Sequence, residues 1–214
     1  LIILPLLFYS LFTPVGTSFN LLFYIGLSVS LLGECIRIIT VAFVPAGTSG
    51  RNTKQQKATS LNQTGIYSIV RHPLYLGNFL IFLGPFIFTG NIYSIIIFIL
   101  SFWIYYERIM YAEETFLISK FGSEYENWSS KTPAFIPNIA SYTPTKSIFS
   151  FRKVLEGEYS GIYGVFVIFT LLLAFRNYNL NITPIISNAW KGIFLGNTLI
   201  YITLRTLKKR RRND

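Results

Sequence analysis

The sequence predicts an all-α fold: a polytopic membrane bundle of about six transmembrane helices closed by a cytoplasmic cap. Three observations carry that prediction. Over half of the 214 residues are hydrophobic and only 13% are charged, which for a chain of this length points to several bilayer spans rather than a soluble core. Apolar runs approaching the ~20 residues needed to cross the hydrocarbon region recur along the chain. The basic residues behind the net charge of +10 gather in alternate loops, the arrangement that topology by charge requires.

Taken in order, the candidate spans are 1–12, 19–44, 74–89, 92–106, 161–175 and 185–204. The first is short and opens the chain already apolar, so it reads as lacking its native start and not as a signal peptide. Only Gly90 and Asn91 separate the third span from the fourth, which predicts a tight helical hairpin, and Pro85 predicts a kink in its first arm. Stretches 13–18, 90–91 and 177–184 contain no Lys or Arg, whereas 45–73, 107–158 and 205–214 hold most of them. That alternation puts both termini on the cytoplasmic side. Within 107–158 a helix extends out of the fourth span, and Pro133, Pro137 and Pro144 then forbid regular helix; this is the predicted cap. The whole chain reads as one domain, with a core at about 31–137, an additional helix pair at about 159–204 and a basic tail at 205–214. Its richness in Ile, Phe, Asn and Lys suggests an AT-rich genome and a bacterial inner membrane.

Composition also narrows the chemistry. One cysteine, Cys35, and one histidine, His72, exclude a disulfide framework and argue against zinc or iron chemistry, so no metal is expected. The positive charge raises nucleic acid as a partner. Because it lies in loops between apolar segments, orientation in the membrane explains it better. The closing run of Lys208, Lys209, Arg210, Arg211 and Arg212 reads as a topology anchor at a helix end, with anionic lipid as the alternative.

Two stretches stand out as chemistry. In 65–78, Arg71 and His72 precede Pro73 where a polar loop becomes an apolar helix. Proline in the first turn leaves backbone N–H groups unpaired and facing the loop, a setting that attracts carboxylate or phosphate. Arg71 adds a bidentate donor and His72 a donor or acceptor, while Gly65, Gly77 and Asn78 let backbone approach a ligand closely. The bland alternative is a helix cap at the membrane interface. In the second stretch, Glu107, Arg108, Glu113 and Glu114 lie where the fourth span leaves the bilayer, followed by Phe121, Thr132 and Pro133. Glu107 and Glu114 share one helix face and Glu113 points to one side. Carboxylates beside aromatics suit a cationic ligand such as a sulfonium or ammonium, although solvated helix charges are the ordinary explanation. In the second span, Glu34 and Arg37 are three apart and can neutralise each other; otherwise Arg37 faces a polar cavity and holds an anionic head group. Arg51, Lys54 and Lys57 add positive charge just before the first motif, read either as topology or as attraction for an anionic acceptor.

The pattern Gly-x-Tyr-x-x-x-Arg-His-Pro-x-Tyr-x-Gly, a helical hairpin, then Glu-Glu-x-x-Leu-x-x-x-Phe-Gly-x-Glu-Tyr and a proline-containing close resembles the integral-membrane methyltransferases that include isoprenylcysteine carboxyl methyltransferase and the phospholipid methyltransferases. The likeness covers about 31–137 and leaves the last two spans unexplained. It implies S-adenosylmethionine as cofactor, held at the cytoplasmic end of the bundle. By that resemblance His72, Pro73, Tyr75, Gly77 and Asn78 line the cofactor pocket and Gly65 and Tyr67 form its entrance. Glu113 and Glu114 match the family's paired glutamates, and Phe121, Thr132 and Pro133 close the lid. Arg71 is the residue expected closest to the acceptor, with Glu107 and Arg108 in catalytic support and Arg37 and Arg51 as substrate contacts.

The implied reaction is in-line methyl transfer to a membrane lipid or lipidated acceptor, favouring an anionic oxygen, which needs no general base. An amine acceptor would need Glu107 or Glu114 to take a proton. Two rivals remain at this stage. One is an NADPH-dependent membrane reductase of the steroid-reductase kind, which shares a related Arg/His-Pro-x-Tyr segment; the other is a non-enzymatic scaffold whose polar groups merely cap helices. The methyl acceptor and the oligomeric state are not legible from one sequence.

Overall fold

A computed structural model describes residues 19–44 and 58–213. Seven α-helices make up the described fold: α1 (Phe19–Phe43), α2 (Pro73–Thr89), α3 (Ile92–Phe121), α4 (Ser123–Ser129), α5 (Phe151–Gly157), α6 (Tyr159–Asn179) and α7 (Asn188–Asn213). Among the described residues the nearest approach to a sheet is one isolated bridge between Gly65 and Thr143. Span 1–12 and the basic residues Arg51, Lys54 and Lys57 lie outside the described residues.

The first helix turns polar residues inward and large apolar ones outward. On α1, Ser30, Glu34, Arg37 and Thr40 are buried while Leu21 and Leu32 are 60% and 54% exposed. Such a pattern is stable only where lipid replaces water on the outside. By length and composition α1, α3 and α6 can cross a membrane, and α2 is a shorter apolar helix of 17 residues. At the predicted span 185–204 the helix α7 forms, and it is less apolar than the three helices that by length and composition can cross a membrane. Asn188, Lys191 and Asn197 dilute its apolar run, and it ends in a basic run.

α1 and α2 pack most closely. A Cβ at Gly84 would collide with the Gly26 carbonyl and Ser30, and one at Gly77 would meet Gly33 and Arg37, so small residues let the two backbones touch. Pro85 lies inside α2 and deprives the Ile81 carbonyl of its helical donor. The Ser30 hydroxyl supplies the missing hydrogen bond at 2.8 Å. This substitution is how a proline is accommodated at membrane depth.

Gly90, in the left-handed region at φ 68°, ends α2, and the Asn91 side chain accepts from Ser94 N to start α3. The two-residue turn matches the expected hairpin. α3 runs 30 residues, about 45 Å at 1.5 Å per residue, so roughly its last ten residues project beyond a ~30 Å hydrocarbon layer. Gly122, with φ 51° and ψ −128°, allows the sharp turn into α4. The chain then folds back over 63–72: Arg71 N donates to Pro133 O, His72 N to Ala134 O, Asn138 N to Ile69 O and Gly65 N to Thr143 O. The cap is therefore a strap laid along the loop that precedes α2.

The remaining helices seal the other side. Ser150 N donates to Ala42 O, and Lys153 Nζ to Val44 O at 2.7 Å, satisfying carbonyls at the end of α1 that no helical donor reaches. α6 and α7 pair through the stacked Tyr163 and Tyr201 rings, 4.2 Å apart, and the Trp190 Nε1 bond to Thr170. Phe23, Phe88, Phe98, Phe169 and Trp190 form much of an aromatic core shared by α1, α2, α3, α6 and α7.

Candidate active site

Two helix ends and one loop converge. His72 caps α2 and Pro73 is its first residue, which aims 71–75 at the projecting part of α3. There Glu114 Oε1 lies 2.8 Å from His72 Nε2 and 3.1 Å from Arg71 Nη2. Glu113 Oε2 accepts from the Tyr75 hydroxyl at 2.9 Å and stands 3.8 Å from His72 Nδ1. The His72 and Tyr75 rings are stacked 5.5 Å apart. Arg71 is fixed further by Nη1 donating to Ser129 O at 2.9 Å, so α4 braces it from above. Facing a carboxylate, His72 Nε2 must carry a proton.

The electrostatics keep Glu114 ionised. Burial pushes its pKa up, but the His72 hydrogen bond and the Arg71 charge outweigh that, and the net shift is downward. Tyr125, buried in α4, moves the other way: burial, then the neighbouring Glu114 carboxylate, holds its phenol well above its ordinary value. One buried donor in this cluster, Arg71 Nε, has no hydrogen-bond partner among the described residues, whereas the Tyr125 hydroxyl is set toward the Glu114 carboxylate. An unpaired donor beside a half-exposed carboxylate, the Glu113 side chain being 40% exposed, makes a place where a polar ligand has groups to meet.

The structure brings Arg71, His72, Tyr75, Glu113 and Glu114 together, and both glutamates of the pair face the cluster, including Glu113, which the helix-face argument had pointed aside. Pro133 and Thr132 lie over the same loop, Pro133 through its carbonyl and Thr132 buried beside Trp128. Gly65 and Tyr67 line a separate cavity of about 680 Å³, together with Ile39 and Phe43 of α1 and Tyr142 of the strap. Phe121 sits at the end of α3 beside Lys120. Gly77 is buried against Gly33 and Arg37, so its missing side chain admits a helix rather than a ligand. Glu107 and Arg108 are exposed on α3 and are not drawn into the cluster; Arg51 lies outside the described residues.

Arg37 requires a correction. Its guanidinium is directed at Glu158, with Nε to Oε2 at 2.9 Å and Nη2 to Oε1 at 3.0 Å, while Nη1 donates to Asn78 Oδ1 at 2.6 Å. Beyond the exchange expected with Glu34 one turn back, Arg37 thus takes a buried carboxylate from the α5–α6 junction. Asn78 in turn donates to Tyr106 at 3.1 Å and is engaged in this second network instead of standing free for a ligand. Sequence reasoning left Tyr106, Tyr125 and Glu158 out of the site. Tyr125 stands in the Phe-Gly-x-Glu-Tyr run and carried a signal. Glu158 is 121 positions from Arg37, and no local spacing announces it.

These features define a membrane-embedded helical bundle with a paired-glutamate, arginine and aromatic cluster at the protruding end of its hairpin. Residues 21–124 match the phospholipid methyltransferase family model, which bears out the resemblance carried by the motifs. The chain is 38% identical over 111 residues to the protein-S-isoprenylcysteine O-methyltransferase of Schizosaccharomyces pombe, covering 50% of this chain and 46% of that protein. It is 34% identical over 134 residues to the enzyme of the same name from Saccharomyces cerevisiae, covering 61% and 53%. To the nickel-cobalt-cadmium resistance protein NccN of Alcaligenes xylosoxydans it is 32% identical over 116 residues, covering 54% and 52%. The chain thus spans about half the length of these relatives.

Proposed function

We propose that the chain transfers a methyl group from S-adenosylmethionine to a membrane lipid or lipidated acceptor, by preference an anionic oxygen, at the cytoplasmic membrane face. The observation that carries this reading is the meeting of Glu113 and Glu114 with Arg71, His72 and Tyr75. The donor set suits such a ligand: the unpaired Arg71 Nε answers a carboxylate, Glu113 and Glu114 answer an ammonium or ribose hydroxyls, and the His72 and Tyr75 rings offer faces to a sulfonium. The names of two of these relatives favour a prenylcysteine carboxylate as acceptor, and that of the family model a phospholipid.

When bound, S-adenosylmethionine supplies a methyl group on a positive sulfur; an acceptor oxygen bonds the carbon as the C–S electron pair leaves on sulfur. The chain's part is alignment and exclusion of water. Arg71 is the cation nearest the acceptor, and the strap at 132–134 covers the loop that carries it. No proton has to be removed from an ionised carboxylate or phosphate, so His72 and Glu114 orient and hold charge without acting as base. The oligomeric state has no part in this reading, and nucleic acid is not a partner in it.

The test supplies purified protein in phosphatidylcholine vesicles with methyl-labelled S-adenosylmethionine and three acceptors: S-farnesylcysteine, phosphatidic acid and phosphatidylethanolamine. Label in either of the first two, and its loss by at least about tenfold on Glu114→Ala, is the expected result. Label in phosphatidylethanolamine alone contradicts the anionic preference, and label in none contradicts methyl transfer to these lipid classes.

A further inference from the structure

Arg37, Asn78 and Tyr106 are joined so that the direction of every hydrogen bond is determined. An arginine only donates, so the Asn78 atom 2.6 Å from Arg37 Nη1 is the amide oxygen. The amide nitrogen therefore faces Tyr106 and donates to its hydroxyl oxygen at 3.1 Å. Tyr106 accepts in that contact, which leaves its own O–H proton free to donate; no acceptor for it stands among the described residues. The arrangement is anchored by Glu158, fully buried and bidentate on Arg37. Glu158 holds the buried guanidinium by both carboxylate oxygens and so fixes the donor that determines which way the Asn78 amide faces.

Tyr106 is also in the right place to matter. It lies seven residues before Glu113 on the same face of α3, about 10 Å nearer the bilayer centre. Its ring is 5.1 Å from that of Tyr75, the residue that bonds Glu113. The charged end of the cluster suits a water-soluble nucleotide, and the Tyr106 end is the side from which a lipid-borne group arrives.

We propose that Tyr106 donates a hydrogen bond to the anionic group, carboxylate or phosphate, of the methyl acceptor, and that Glu158 is the positioning residue which keeps that donor aimed, acting through Arg37 and Asn78. The inference rests on the methyl-transfer reading above. It gives the C-terminal helices, which lie beyond the family-matched 21–124, a part in the site.

The experiment uses the acceptor assay above with full donor and acceptor saturation curves. Tyr106→Phe removes only the hydroxyl and keeps the ring. It is expected to lower kcat/KM for the labelled anionic acceptor about tenfold and to leave KM for S-adenosylmethionine within about twofold. Glu158→Gln lowers the same ratio, and in the double variant the two losses do not multiply, because both act through one hydroxyl. Unchanged acceptor kinetics for Tyr106→Phe, or losses that multiply, overturn the inference while leaving methyl transfer standing. If Glu158→Gln fails to fold, Tyr106→Phe decides alone. A wild-type protein that labels neither anionic acceptor overturns the parent reading and this inference with it.

Discussion

Glu114 is the residue on which the cluster turns, since His72 and Arg71 both reach the same carboxylate oxygen. Its folded pKa lies below the ordinary value of 4.5. The stability it contributes is therefore present above that pH and is lost as the pH falls through the folded value. Glu114→Gln keeps the shape and removes the charge, and at pH 7 it should cost about 1–3 kcal/mol, the usual range for a charge-assisted hydrogen bond. Melting curves in detergent check this. The gap between wild type and variant should be full at pH 7 and narrow as the buffer is taken below 4.5; a gap that stays constant down to acid pH would show that the ion pairing is not its source.

Among the elements, the hairpin shows most clearly what local sequence can encode. Gly90 and Asn91, the proline at the start of α2 and the paired glutamates are all short-range signals; the turn and the helix start lie where their chemistry predicts, while Glu113 turns toward the cluster from the face expected to point aside. Pro85 was legible as a disturbance, but its remedy was not: the donor comes from Ser30, 51 residues away. Ser30→Ala should destabilise the protein by about 1 kcal/mol. In a Pro85→Ala background, residue 85 regains its own N–H for the Ile81 carbonyl, and the Ser30 contribution should largely vanish. A double-mutant cycle by reversible denaturation measures the difference; equal losses in both backgrounds would mean that Ser30 does not serve the proline. The same reasoning explains the polar face of α1. Glu34 and Arg37 invite pairing because they are three apart, yet the bidentate contact of Arg37 with Glu158 is decided by how α5 and α6 dock, and no window of local sequence contains that information.

At the scale of the whole molecule, the bundle class follows from composition, and the site follows from two motifs that α3 is long enough to bring together outside the bilayer. α7, which forms at the last predicted span, is more polar than the three helices that by composition can cross a membrane. What sequence alone understates is the role of the C-terminal helices. Glu158 bonds into α1, and Ser150 and Lys153 bond to carbonyls at its end, so α5 and its junction with α6 complete the network beneath the hairpin. The central claim is that 71–75 and 113–114 form one site for a sulfonium nucleotide. Isothermal titration of S-adenosylhomocysteine into the protein in lipid nanodiscs tests it most directly. The account predicts saturable binding with one site per chain, lost or weakened at least about tenfold in His72→Ala and Glu114→Ala; binding of NADPH in its place, or S-adenosylhomocysteine binding untouched by both substitutions, would contradict it.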